Sequence, residues 1–315
     1  MRVLIVGVGG VGGYVGARLA AAGHQVCFLA RGENLRALRT TGLRLESDHG
    51  DLALPDVNAV DDAGRCGAAE GVVFCVKAYD NEAAADAMAP AVAPGTSITS
   101  LQNGVENEAF LSGRFPDATI LGGVARVEAW REGPGEFRQR GPQNRLLVGA
   151  FRPEAMPAAH ALSDTFAGTG IEFVVAKDIE SELWFKLMSI CAVGGVTAFG
   201  RCTIGEARTD ERLRGMLVAT LEEAESVAAA RGTRLPPDPV PRLLSYYDDV
   251  LDGRLKSSMC RDVEAGRPLE VWWLNGAVVR FGERAGVPTP VNREILDALL
   301  PLHEAAMAAR ARQNA

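Results

Sequence analysis

No run of five basic residues occurs in this chain of 315, and acidic side chains outnumber basic ones by 40 to 33, for a net charge of −7. Neither a nucleic-acid nor a membrane partner is expected on that balance. No two cysteines stand in C-x-x-C spacing. The six (Cys27, Cys66, Cys75, Cys191, Cys202, Cys260) are scattered, which offers no metal-site pattern and reads as reduced thiols, Cys27 and Cys75 being buried in apolar strands. No apolar run is expected to reach transmembrane length, and a strand starting at residue 2 leaves no room for a signal peptide, so a cytoplasmic protein is expected. Internal repeats are lacking, and low complexity is limited to alanine-rich helices. Apolar residues are plentiful at 47%, enough over this length for two domains with a core each.

The chain is organised around its first thirty residues. Val3 to Val6 is a short aliphatic run that ends at a glycine, the mark of a buried parallel strand. Gly7, Gly9 and Gly12 follow in G-x-G-x-x-G order. The first makes a tight turn, the second lets backbone approach a pyrophosphate, and the third lets helix and strand pack closely. The loop Gly7-Val8-Gly9-Gly10-Val11-Gly12 is therefore the candidate cradle for a dinucleotide. The helix after it, Tyr14 to Ala22, offers free N–H groups and a positive dipole end to phosphate. Gln25 to Ala30 is the second strand. An NAD site usually places Asp or Glu at its end, to accept from the ribose 2′-hydroxyl. Here the end is Ala30-Arg31-Gly32, with Arg36 and Arg39 further on. A missing carboxylate and a present guanidinium favour a 2′-phosphate, and so NADP.

The fold class that follows is α/β, a Rossmann-type doubly wound sheet followed by an all-helical C-terminal domain. Residues 1–176 form the expected NADP-binding domain and 177–315 the helical substrate domain. Gly42 to Leu54 reads as a hairpin inserted in the sheet, around the turn Ser47-Asp48-His49-Gly50. Gly71 to Val76 is a strand ending at Lys77, and Thr96 to Leu101 one ending at Gln102-Asn103-Gly104. Ligands of doubly wound sheets bind beyond the carboxyl ends of the strands, which puts Lys77 and Asn103 among the candidates. Ile120 to Ala125 and Leu146 to Gly149 read as an antiparallel extension, with turns at Gly133-Pro134-Gly135 and Gly141-Pro142. A last helix and a strand, Ile171 to Val175, complete the domain.

From Asp178, a plausible N-cap, helix follows helix. Lys186 stands mid-helix among Trp184, Phe185, Leu187 and Met188. It either pairs with Glu182 one turn back or faces a cleft, where a partly desolvated lysine can act as a general acid. Ser257 or Ser258 caps a later helix. Glu270 opens a very apolar helix through Val271, Trp272, Trp273 and Leu274, where a carboxylate sits well near the N-terminus.

From end to end the chain resembles the ketopantoate reductase (2-dehydropantoate 2-reductase) family, similar in architecture to 6-phosphogluconate-type dehydrogenases. The resemblance rests on Gly7-x-Gly9-x-x-Gly12 with Arg31, Val76-Lys77-Ala78-Tyr79, Gln102-Asn103-Gly104 and Glu182-Leu-Trp-x-Lys186. It continues through Ser257-Ser258-Met259-x-x-Asp262, Glu270 with Asn275-Gly276, and Gly286-Val-Pro-Thr-Pro290. It implies hydride delivery from NADPH to a 2-keto acid, giving a 2-hydroxy acid of pantothenate biosynthesis. It also implies roles. Lys186 would protonate or hydrogen-bond the forming alkoxide, and Glu270 would orient it or help bind the substrate. Ser258 holds the substrate carboxylate, Asn103 sits between nicotinamide and substrate, and Lys77 and Arg31 contact the cofactor. No metal is implied. An oligomeric state is not readable, and a homodimer stays open.

One departure bears on the substrate. The family carries Asn one and two turns after the lysine, where this chain has Ile190 and Gly194. Loss of two hydrogen-bonding side chains weakens recognition of the polar end of ketopantoate and admits a bulkier branched or aromatic 2-keto acid. Two other readings are a 3-hydroxyacid dehydrogenase, for which the glycine-rich substrate segment is missing, and a non-catalytic NADPH sensor, which has no need of Lys186, Ser258 and Glu270 together.

Overall fold

In the computed structural model, which describes residues 1–314, the run read as the first strand is β1 (Arg2–Val6), four of whose five residues are buried. It lies between β6 and β2 inside a ten-stranded sheet. The other strands are β2 (Gln25–Leu29), β3 (Leu43–Ser47), β4 (Leu52–Leu54), β5 (Asn58–Val60), β6 (Gly71–Phe74), β7 (Ser97–Ser100), β8 (Thr119–Gly133), β9 (Glu136–Ala150) and β10 (Glu172–Val175). The strands β5-β2-β1-β6-β7-β8 are parallel throughout, in the dinucleotide-binding order 3-2-1-4-5-6. The β3–β4 hairpin is antiparallel, as its alternation predicted, but it joins the far edge of the sheet, with β3 parallel to β9.

The helices of this half are α1 (Gly10–Ala21), α2 (Gly32–Thr40), α3 (Asn81–Met88), α4 (Asn107–Arg114) and α5 (Met156–Phe166). β8 and β9 form one long hairpin that turns at Gly133 to Glu136. Gly141-Pro142, read as a second turn, lies within β9 instead. The ladder is irregular between Val127 and Glu128, and such a break accommodates residues that cannot pair.

The second half is built from α6 (Ile179–Ile190), α7 (Val196–Gly200), α8 (Ile204–Thr209), α9 (Glu211–Ala230), α10 (Pro239–Ser245), α11 (Ser258–Glu264), α12 (Asn275–Ala285) and α13 (Pro290–Asn314). The chain divides into two compact units. The first holds Met1–Gln102 and Asn107–Ile179, and the second takes Asn103–Glu106 and everything described from Glu180 on. Asn103 thus clusters with the helices and not with the sheet.

Three further expectations need correction. The stretch Ile179–Gly200 is long and apolar enough to cross a membrane by length and composition. It forms α6, a π turn and α7, and Trp184, Leu187, Met188, Cys191 and Val196 lie in the core of the second unit, so its all-round apolarity is that of a central core helix. Cys27 and Cys66 are not separate thiols but a disulfide, with Cα atoms 6.1 Å apart. Cys27 on β2 and Cys66 in the 3-10 turn Ala63–Cys66 are 39 residues apart in sequence, and only the tertiary fold brings them together. Finally, Glu270 does not open a helix. Val271 to Leu274 is a turn, and α12 begins at Asn275.

Glu108, in the first turn of α4, is buried, and neither carboxylate oxygen has a hydrogen-bond partner. Burial pushes its pKa from the ordinary 4.5 to about 7. The folded state therefore binds this proton more tightly than the unfolded one, and stability falls as pH rises from about 4.5 through 7. At pH 8 the cost is of order 3 kcal/mol. Glu108→Gln should raise the melting temperature at pH 8 and leave it nearly unchanged at pH 4, measured by thermal denaturation across pH.

Candidate active site

The glycine loop joins β1 to α1. Gly7 has φ +93°, and a Cβ there would lie 2.6 Å from the Val76 nitrogen, so the tight turn at the end of β1 requires glycine. A Cβ on Gly12 would stand 2.2 Å from the Gly7 carbonyl oxygen, while one on Gly9 would meet nothing within 4 Å. The first and third glycines are thus fixed by chain packing, and the second leaves its backbone open to approach. Gly10 is also fixed, since a Cβ would come 2.2 Å from the Ala129 oxygen of β8. Val8 is buried, and its carbonyl accepts from Asn34 Nδ2 at 3.1 Å. Asn34 Oδ1 in turn accepts from the Gly135 N–H at 2.9 Å, so one buried amide ties the loop to the β8–β9 turn. Val11 is half-buried in the first turn of α1. With its backbone left open at Gly9 beside the first turn of α1, this loop fits a pyrophosphate.

Arg31 is exposed at the carboxyl end of β2, immediately before α2. Its guanidinium lies 3.4 Å from the Asp80 carboxylate. The pair is solvent-facing and worth at most about 1 kcal/mol, a weak hold on the side chain. Arg39 is committed elsewhere, donating to the Ala59 carbonyl at 2.9 Å and pairing with Asp61. β6 ends at Phe74, and Lys77 follows three residues later, half-buried, ahead of the 3-10 turn Ala78–Asp80. Gln102 fixes this corner: its Nε2 lies 2.8 Å from the Val76 carbonyl and 2.7 Å from Asn81 Oδ1.

In the second unit Lys186 is half-buried on α6, one turn after Glu182 and one before Ile190. The helix then widens into a π turn over Cys191–Gly195. π turns concentrate at functional sites. Here the turn is held from outside by Asn275 Nδ2, which lies 3.2 Å from the Cys191 carbonyl and 3.0 Å from Asn292 Oδ1. Asn292 Nδ2 in turn donates to Glu223 at 2.8 Å, and Glu223 accepts from the Val291 and Asn292 N–H groups at the start of α13. Gly195 makes room for this chain, for a Cβ would fall 2.8 Å from the Asn275 amide.

Gly194 and Ile190 are neighbours despite the altered turn. A Cβ on Gly194 would lie 3.5 Å from Ile190 Cγ2 and 3.9 Å from Met259 Cε. Ser257 caps α11, accepting from the Cys260 N–H at 3.0 Å, and its hydroxyl is 2.8 Å from Thr197 Oγ1. Ser258, the other sequence candidate for that cap, is the exposed first residue of α11. Met259 is thereby brought to Ile190 and Gly194. Glu270 is 7% exposed, and its carbonyl accepts from the Trp273 and Leu274 N–H groups in the turn before α12. Asn103 is half-buried and is followed by Gly104 at φ +112°, which only glycine adopts freely. Sequence reasoning missed the Asn292–Glu223 chain and the π turn, for which the Gly194-Gly195 pair was the one local signal.

The family model described as ketopantoate reductase PanE/ApbA matches residues 3–153, and its C-terminal counterpart matches 178–303. The chain belongs to the ketopantoate reductase family. A 2-dehydropantoate 2-reductase from Mesorhizobium japonicum is 31% identical over 96% of this chain and 96% of its own. The crystal structure of a PanE/ApbA family ketopantoate reductase from Ralstonia eutropha superposes with TM-score 0.89 at 32% identity, covering 98% of this chain and all of that one. A D-mandelate dehydrogenase with NADH and anilino(oxo)acetate has TM-score 0.88 at 20% identity, covering 97% of this chain and 99% of that one, a likeness of fold. Family membership makes the chain an oxidoreductase, a 2-keto acid reductase dependent on a nicotinamide dinucleotide.

Proposed function

We propose that this reductase converts a 2-keto acid to the 2-hydroxy acid with NADPH, ketopantoate to pantoate being the first substrate to test. The observation that carries the reading is that Lys186, Ser258 and Glu270 all lie in the segment matched by the C-terminal family model. The reduced nicotinamide supplies a hydride to the keto carbon. Lys186 gives the proton from its Nζ to the oxygen that becomes the hydroxyl, and solvent restores it. Glu270 orients that oxygen, Ser258 binds the carboxylate, and Asn103 bridges nicotinamide and substrate. The loop Gly7 to Gly12 binds the pyrophosphate, with Lys77 beside it. This division is general: the cofactor carries the hydride chemistry, and the protein supplies position and a proton.

Arg31 is assigned to the 2′-phosphate. Its weak pair with Asp80 is readily exchanged for a bidentate phosphate contact. Arg31→Ala should raise the Kd for NADPH about 10- to 100-fold and change that for NADH little, measured by nicotinamide fluorescence. An equal loss for both removes the assignment.

A second reading, favoured by the apolar contact of Ile190, Gly194 and Met259, keeps the chemistry and changes the substrate to a bulky branched or aromatic 2-keto acid. The test is NADPH oxidation with ketopantoate beside a panel of such acids. Turnover of ketopantoate supports the first reading and turnover of another acid alone supports the second. Silence across the panel sinks both. Under the second reading, Ile190→Asn with Gly194→Asn should raise kcat/KM on ketopantoate by about tenfold or more, each restored hydrogen bond being worth about 1 kcal/mol; an unchanged ratio places recognition elsewhere.

A further inference from the structure

Arg280 lies on α12, outside every residue assigned above. One guanidinium nitrogen, Nη1, donates to the Trp272 carbonyl at 2.8 Å. The other, Nη2, donates to the Glu106 carboxylate. The guanidinium carbon sits 4.3 Å from the Trp272 ring centroid. The side chain is only 18% exposed and that of Glu106 29%, so the pair is shielded enough to matter where an open surface pair would not.

Each of its partners is a short step from a proposed site residue. Glu106 comes three residues after Asn103, in the four-residue segment that clusters with the helices. Val105, between Gly104 and Glu106, packs on the core of the same unit. Trp272 comes two residues after Glu270, in a turn closed by N–H groups on the Glu270 carbonyl. Neither piece is regular secondary structure, so neither is held by a ladder of its own. One planar fork ties both to the first turns of α12, which begins at Asn275.

We propose that Arg280 is a positioning residue for the reduction: by holding Glu106 and the Trp272 carbonyl together it sets Asn103 and Glu270 in one fixed geometry. This rests on the roles given to Asn103 and Glu270 under the proposed function. Misplacement of a reacting group by about 1 Å costs up to about 100-fold in rate. A lysine has the charge but not the fork, so it can keep one contact and not both.

The experiment measures kcat, KM, NADPH Kd and melting temperature for Arg280→Met, Arg280→Lys, Glu106→Gln and the Arg280→Met/Glu106→Gln pair. Asn103→Ala and Glu270→Gln are the controls, with the keto acid that the wild-type protein turns over. Arg280→Met is expected to lower kcat about 10- to 100-fold, with NADPH Kd unchanged and melting within a few degrees of wild type. Arg280→Lys should recover part of the rate, and the double variant should be no slower than Arg280→Met alone. Controls that lose rate while Arg280→Met keeps it overturn the inference. A loss in Arg280→Met that tracks melting, or losses that add in the double variant, overturn it too. Controls that keep the wild-type rate overturn the site reading itself.

Discussion

Lys186→Ala lowers kcat by about 100- to 10,000-fold, the usual span for removal of a general acid, while the Kd for NADPH stays near the wild-type value. The separation follows from placement: Lys186 is on α6 in the helical unit, whereas the glycine loop and Arg31 belong to the sheet unit. Steady-state rates and fluorescence titration on the same preparation check it. Lys186→Arg is the second variant. Its side chain keeps the charge but is effectively never deprotonated, so it should bind substrate and still fail to donate. Near-normal turnover in either variant removes Lys186 from proton transfer.

Gly12→Ala abolishes NADPH binding and lowers the melting temperature by roughly 2–12 °C, because its Cβ would stand 2.2 Å from the Gly7 carbonyl oxygen and backbone must move. Gly9→Ala behaves differently. Its Cβ meets nothing within 4 Å, so the fold stays intact and melting is unchanged, yet the added methyl blocks close approach of a pyrophosphate to the loop. Binding and melting measured together separate the two effects. Equal melting losses in both variants would contradict the distinction between a glycine that packs the chain and one that admits the ligand.

The dinucleotide half was legible because its signal is local. Gly7, Gly9 and Gly12 act within one strand–turn–helix, and Val3 to Val6 followed by a glycine could hardly be anything but a strand end. The β3–β4 hairpin was legible for the same reason, through its alternation, but its place beside β9 was not, since nothing in residues 43–54 encodes which edge they join. The Cys27–Cys66 bridge was hidden likewise: it depends on a turn 39 residues away in sequence. At Glu270 the apolar run Val271 to Leu274 is compatible with helix or buried turn, and tertiary packing chose the turn. The membrane-length apolarity of Ile179–Gly200 is masked in sequence by Glu180, Glu182 and Lys186 in its first turns. Arg280 and Glu106 are 174 residues apart, beyond any spacing rule.

The central claim is that hydride passes from the reduced nicotinamide to the keto carbon. It is tested most directly by incubating the protein with NADPH deuterated at nicotinamide C4, on the face that transfers, together with the keto acid panel, and analysing the products by mass spectrometry. A 2-hydroxy acid carrying deuterium on C2, formed in step with NADPH oxidation and not formed by Lys186→Ala, is the predicted result. Oxidation of NADPH without deuterated hydroxy acid, or no oxidation with any acid, would contradict it.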